Sequence, residues 1–113
     1  MVGGRSAGAR VACRTGAALG AVGVVALSFP LHPPGRPERS RADELTTLPI
    51  PILVVQGTRD AFGGPDLLPA GIDVHSVPGA DHSLALWRRG PLTQAEAFER
   101  IVEAVVRWVR ARP

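Results

Sequence analysis

Three short motifs carry the residue types of a nucleophilic relay, in the chain order serine, aspartate, histidine. Gly4-Arg5-Ser6-Ala7-Gly8 fits the G-x-S-x-G nucleophile elbow and stands directly before an expected helix. In such a turn the serine is held strained between strand and helix, and the flanking glycines let neighbouring backbone pass closely. The amide of Ala7, with the helix N-terminus behind it, would then point at a developing oxyanion. Asp60 closes Gly57-Thr58-Arg59-Asp60, just beyond the most apolar strand-like stretch of the chain, and His82 lies in Gly79-Ala80-Asp81-His82-Ser83. In these positions His82 would take the proton of Ser6 and return it to the leaving group, while Asp60 would orient and stabilise the imidazolium. From composition, a chance G-x-S-x-G match somewhere in the chain is on the order of 0.06, so the motif needs its structural context.

Each residue also has a plainer reading. Ser6 fits a helix N-cap, and Asp60 fits a turn. Asp81 is a rival acid, but adjacency to His82 places it poorly to reach the imidazole, so it reads as a turn or rim residue. His75 alternates outward on a strand and reads as solvated. His32, within Pro30-Leu31-His32-Pro33-Pro34, fits either a site mouth or the filling of a proline-rich loop. Cys13 reads as a small buried apolar residue.

The elements that must position these groups alternate in type. Residues 7 to 20 form an alanine-rich helix with Val11, Cys13, Ala17 and Ala18 available for burial and Gly20 as its stop. Ala21 to Leu27 is a continuous apolar run, the pattern of a strand buried on both faces. Residues 30 to 49 are polar and proline-stiffened, with at most one helical turn around Ala42 to Leu45. Ile50 to Val55 is a β-branched strand ended by Gln56-Gly57. A short helix is expected from Pro65 to Leu68, and Ile72 to Val77 alternates as an edge strand does. Thr93-Gln94-Ala95-Glu96 is a capping box opening a long helix, with Ala95, Phe98, Ile101, Val102, Val105 and Val109 on one face. Glu96 with Arg100 and Glu103 with Arg107 are favourably ordered pairs on its wet side. Strands alternating with helices imply a parallel sheet covered on both faces, a three-layer α/β sandwich.

Composition removes several other classes. The chain has 113 residues, 45% of them apolar, so it is at most one small domain and not a disordered tail. Its 13 basic residues are all arginine and its net charge is only +3, so a coding bias explains them without a nucleic-acid groove. No basic cluster interleaves with aromatics. The single cysteine excludes an internal disulfide framework and a multi-cysteine zinc site. Arg5, Arg10 and Arg14 before the uncharged run Thr15 to Leu31 have the outline of an export signal, with Ala26-Leu27-Ser28 as a cleavage site. That run is mostly Ala and Gly, is interrupted by Pro30, and is shorter than a membrane span needs. Neither a nucleic acid nor a membrane is expected as a partner, and the expected location is the cytoplasm.

These segments resemble the carboxyl-terminal half of the α/β-hydrolase superfamily. More narrowly, they resemble its dienelactone-hydrolase-related subgroup, which includes the testis-expressed protein and NSL-complex-subunit type. The resemblance runs through Gly3 to Arg10, Phe29-Pro30-Leu31-His32-Pro33-Pro34-Gly35, Val55 to Asp60 and Pro78 to His82. It implies Ser6 as nucleophile, Asp60 as acid and His82 as base, with no metal or organic cofactor. It also implies a fold of about eight strands in which the elbow follows the fifth. Residues 1 to 113 are then the carboxyl-terminal portion of a single domain, with 29 to 49 as a loop or lid. The strand presenting Ser6 is expected to be a stub, leaving three strands with an open edge, and the loop lending the second oxyanion N–H is not in the chain.

The expected function is an esterase-type serine hydrolase acting through an acyl-enzyme on a small ester-like substrate. A self or partner chain would complete the sheet. The alternatives are a non-catalytic interaction domain that keeps the hydrolase shape, a gene fragment, and a small exported protein from which residues 1 to 28 are removed.

Overall fold

A computed structural model describes residues 1–87 and 90–112. The elements run β1 (Val2–Arg5), α1 (Ala7–Thr15), β2 (Val24–Leu27), α2 (Asp43–Thr46), β3 (Ile52–Gly57), a 3-10 turn (Pro65–Leu67), β4 (Asp73–Val77) and α3 (Gln94–Arg110). The four strands form one parallel sheet in the order β1-β2-β3-β4. One register row crosses the whole sheet, from Arg5 through Leu27 and Val55 to His75.

Three strands were expected and the sheet has four. The residues before Ser6 form a paired strand, with Val2 opposite Val24 and Arg5 opposite Leu27. Gly3 and Gly4 carry little intrinsic strand preference, so the order here comes from the ladder to β2 rather than from local propensity.

Each connection moves one strand over in the same direction, so right-handed crossovers put the intervening segments on the same face. There Ala9, Ala12 and Cys13 of α1 and Leu45 of α2 pack with Val24, Ala26, Ile52 and Val54. On the other face Ala97, Ile101 and Trp108 of α3 pack with Leu53, Val55 and Val77, and Val25 and Leu27 adjoin them. Consecutive residues of β2 and β3 thus feed opposite cores, which is why both runs are apolar without alternation. All six residues of β3 are buried.

Helix α1 ends at Thr15, five residues before the expected stop at Gly20. Its buried face is Ala9, Ala12, Cys13 and Gly16, whereas Val11, Ala17 and Ala18 are exposed. A β-carbon at Gly16 would meet Val2 Cγ2 at 3.1 Å and Val24 Cγ2 at 3.3 Å, so small residues let the helix end sit against the sheet. The uncharged run is accordingly divided between the end of α1 and β2, whose Val24 and Ala26 are core.

Helix α3 opens on the expected capping box, with Thr93 Oγ1 accepting from Glu96 N and Glu96 Oε1 accepting from Thr93 N. Its buried face differs from the expected one. Ala97, Ile101 and Trp108 are buried, while Phe98 and Val102 are exposed. Trp108 sets the rotation: its indole Nε1–H donates to Asp73 Oδ2 at 2.7 Å, and Arg112 stacks over its ring at 4.0 Å while pairing with the same carboxylate. A large ring with one polar edge must bury the first and satisfy the second. The expected Glu96–Arg100 and Glu103–Arg107 pairs are not among the ion pairs of the described residues. Exposed pairs of long side chains gain too little to be held in one geometry.

No helix of the described residues is long and apolar enough to cross a membrane.

Candidate active site

Parallel strands bring their carboxyl ends to one edge of the sheet, and the chemically capable residues follow those ends. Ser6 follows β1 and continues its ladder, donating its backbone N–H to Leu27 O at 2.9 Å. Its own carbonyl then accepts from Ala9 N and Arg10 N, so the helix starts at once. One residue makes the whole turn from strand to helix, and it adopts φ 54, ψ −120. Such a conformation costs a non-glycine residue about 1–3 kcal/mol and persists only where the surroundings enforce it. Ser6 makes no side-chain cap. Its Oγ instead lies 2.8 Å from His82 Nε2.

The first glycine of the elbow is required by packing and the second is not. A β-carbon at Gly4 would overlap the Gly8 carbonyl and lie 2.8 Å from Ala9 N, whereas a β-carbon at Gly8 has open space around it. The expectation that both glycines permit close backbone approach holds at Gly4 alone. The N–H of Ala7 has no acceptor among the described residues.

The acid and the histidine are joined through their loops. Thr58 N donates to Val77 O and Arg59 N to Ala80 O, while Thr58 Oγ1 accepts from Gly79 N at 2.7 Å. A β-carbon at Gly57 would overlap the Ala80 carbonyl, so only glycine lets the two loops meet. Asp60 is buried, its side chain fully so, and His82 Nδ1 lies 2.8 Å from Oδ2 and 2.9 Å from Oδ1. An ionised carboxylate can only accept, so in this pairing Nδ1 carries the proton and Nε2 is left to accept from the Ser6 hydroxyl. The arrangement can therefore pass a proton from a hydroxyl to an imidazole whose opposite nitrogen is held by a carboxylate.

Asp81 is a turn residue: Oδ1 accepts from Ser83 N and Ala85 N, and Oδ2 accepts from Trp87 Nε1. The Trp87 and Ala85 hydrogen bonds hold its carboxyl below the usual range. His32 is buried, its Nδ1 at 2.8 Å from Pro33 O and its backbone N–H donating to Phe62 O. Residues Phe29, Leu31 and His32 are buried, so the start of the 29–49 segment is core rather than a free lid. His75 is half-buried, not solvated, and burial together with Arg100 and Arg107 of α3 pushes its imidazole below the ordinary value. Cys13 is buried, and burial pushes its thiol up to about 11, leaving it an unreactive apolar group.

The family description "Alpha/beta hydrolase domain" matches residues 1–110. The chain belongs to the α/β-hydrolase family. Among solved structures, the esterase domain of a Rhodothermus marinus protein superposes with a TM-score of 0.68 at 15% identity. The match covers 98% of this chain and 60% of that one, so this hydrolase-family chain spans less than two-thirds of the length of the chain it matches. At that identity the likeness is one of fold.

Two supports of this candidate site are not marked by any of the sequence motifs. Gln56 is fully buried at the end of β3, where Oε1 accepts from Phe29 N, and Nε2 donates to Phe29 O and to Gly63 O. It ties the loop after β2 to the loop carrying Asp60. A lone amide ending an otherwise apolar buried strand was the available signal, because such a group must find backbone partners. Phe62 donates its N–H to Asp60 Oδ1 and packs its ring on His82, centroids 4.1 Å apart. Nothing in its local sequence marks that role.

Cavities of the hydrolase fold lie at both ends of the strands. One of about 260 Å³ is lined by Arg59, Pro78, Gly79, Leu86, Gly90 and Leu92, next to the Asp60 loop. Another of about 290 Å³, with Leu45, Ile50, Ile52 and Ile72 in its wall, is at the amino-terminal ends of β3 and β4 and so remote from Ser6. Among the described residues, no group of three or more His, Cys, Asp or Glu side chains is arranged to hold a metal ion.

Proposed function

We propose that this chain carries the reacting groups of an esterase-type serine hydrolase, close to the dienelactone-hydrolase-related subgroup that its motifs resemble. The observation that carries the reading is the unbroken run of hydrogen bonds from Ser6 Oγ through His82 Nε2 and Nδ1 to the buried Asp60 carboxylate. The strained backbone at Ser6 supports it, since strain of this kind is kept where it positions a reacting group.

In this reading Ser6 Oγ attacks the carbonyl carbon of an ester-like substrate while His82 Nε2 takes its proton. The Ala7 amide donates to the oxyanion of the tetrahedral intermediate. His82 then protonates the departing alkoxide, which leaves as the alcohol, and Ser6 remains acylated. Water attacks the acyl carbon in the second half, giving its proton to His82, and Ser6 leaves with that proton restored. Asp60 keeps its negative charge throughout and holds Nδ1–H in place. No cofactor enters either half.

A further strand, from the same protein or from another chain, belongs to the proposal. β1 is an edge of the sheet, and Val11, Leu19 and Val22 are exposed. A strand paired to β1 would protect that edge and bring the second oxyanion donor that the resemblance implies, a group worth on the order of 10²–10³ in rate.

A fluorophosphonate probe tests the chemistry. The folded parent protein is expected to be labelled, and Ser6→Ala is expected to lose the label. A folded parent that takes up no label sinks the enzymatic reading and leaves the non-catalytic interaction domain.

A further inference from the structure

The carboxyl end of β2 holds a second serine that the relay leaves unused. Ser28 is fully buried and has φ 54, a left-handed conformation that a non-glycine residue enters only under constraint. Its backbone N–H donates to Val55 O at 2.8 Å, but its hydroxyl has no hydrogen-bond partner among the described residues. Buried hydroxyls are ordinarily paired, and the exceptions call for an explanation.

Sheet order supplies one. Ser6 follows β1, Ser28 follows β2 and Asp60 follows β3, with β2 in the middle. The His82 ring reaches Ser6 through Nε2 and Asp60 through Nδ1, so it spans the end of β2 where Ser28 sits. Both Asp60 oxygens have a partner, yet the carboxylate keeps acceptor capacity. It accepts from Phe62 N and His82 Nδ1, although a carboxylate has about four acceptor positions. The Asp60 side chain has no exposed surface, so bulk water does not fill the remainder. An unused buried donor thus stands at the end of the strand that lies between those leading to Ser6 and Asp60.

We propose that Ser28 is a positioning residue for the Asp60–His82 pair, its hydroxyl turning to donate to the Asp60 carboxylate as His82 takes the proton of Ser6. The inference rests on the serine-hydrolase reading above. No bond to carbon or phosphorus changes at Ser28. Its O–H exchanges an unpaired state for a charge-assisted hydrogen bond that holds Asp60 in line with the imidazolium.

Two variants separate the hydroxyl from the backbone. Ser28→Ala removes the hydroxyl and keeps the strained φ, whereas Ser28→Gly removes both and relieves the strain, so it folds even where the alanine variant does not. Both are expected to label with the fluorophosphonate about 10- to 100-fold more slowly than the parent, the worth of one hydrogen bond to a charged group. Both are also expected to shift the acidic limb of the labelling-rate profile to higher pH. Without that donor the Asp60 charge is less well satisfied and holds the His82 proton more tightly. Asp81, the other carboxylate beside the ring, is the same in parent and variants. A folded Ser28→Gly protein with either the parent rate or the parent pH profile overturns the inference while the labelled parent keeps the hydrolase reading. An unlabelled parent removes both.

Discussion

Gly57 and Ala80 approach so closely that the Ala80 carbonyl occupies the place where a β-carbon of residue 57 would stand, with Asp81 O a further 2.8 Å neighbour. The first residue leads to Asp60 and the second to His82, so this contact sets how near the carboxylate can come to the imidazole. Backbone cannot swing aside as a long side chain can.

Gly57→Ala is therefore expected to open the two loops. Overpacking of this kind costs about 1–3 kcal/mol of stability, and misplacement of a reacting pair by an ångström slows reaction on the order of 10²-fold. Urea unfolding and the fluorophosphonate labelling rate measure the two effects. An alanine variant as stable and as quickly labelled as the parent would show that the loops meet without needing this contact.

The elbow glycines are expected to respond in opposite senses. Gly4→Ala drives a methyl into the Gly8 carbonyl and destabilises the protein. Gly8→Ala meets open space within α1 and is expected to raise stability by about 0.5–1 kcal/mol through helix preference. Urea midpoints of the two variants check the contrast. Equal losses would mean that both glycines are sterically required.

His75 is expected to make stability pH-dependent. Burial first, and then the charges of Arg100 and Arg107, depress its folded-state value below the ordinary histidine value of about 6.5. The unfolded chain then binds the proton more tightly than the folded one. Stability carries no penalty from His75 above that ordinary value, and it falls as the pH drops from there toward the folded-state value. Thermal melts at neutral and mildly acidic pH, compared between the parent and His75→Asn, read this directly. A variant that loses stability on acidification as steeply as the parent does would assign the effect to other groups.

Local pattern was legible wherever local physics dominates. The apolar runs became β2 and β3, because a strand buried on both faces needs apolar residues at every position. The capping box opened α3 where its four residues stand. What the sequence concealed was carried by contacts between distant segments. β1 looked like a stub, because its two glycines have little preference of their own and are ordered by β2. The buried face of α3 does not follow from its apolar spacing, because Trp108 answers to Asp73, 35 positions away.

The sequence by itself determined the family, the parallel α/β architecture and the presence of Ser6, Asp60 and His82, each beyond the carboxyl end of a strand. Those follow from residue type and spacing along the chain. Only the tertiary structure decided that Ser6 and His82, 76 positions apart, stand at 2.8 Å, and that Gln56 and Phe62 brace the Asp60 loop. It also decided that Ser28, at the end of β2, is buried with its hydroxyl unpaired among the described residues. A hydrogen bond depends on tenths of an ångström and on direction. Those are fixed by the register of neighbouring strands and by the close approach of Gly57 to Ala80, neither of which any single segment contains.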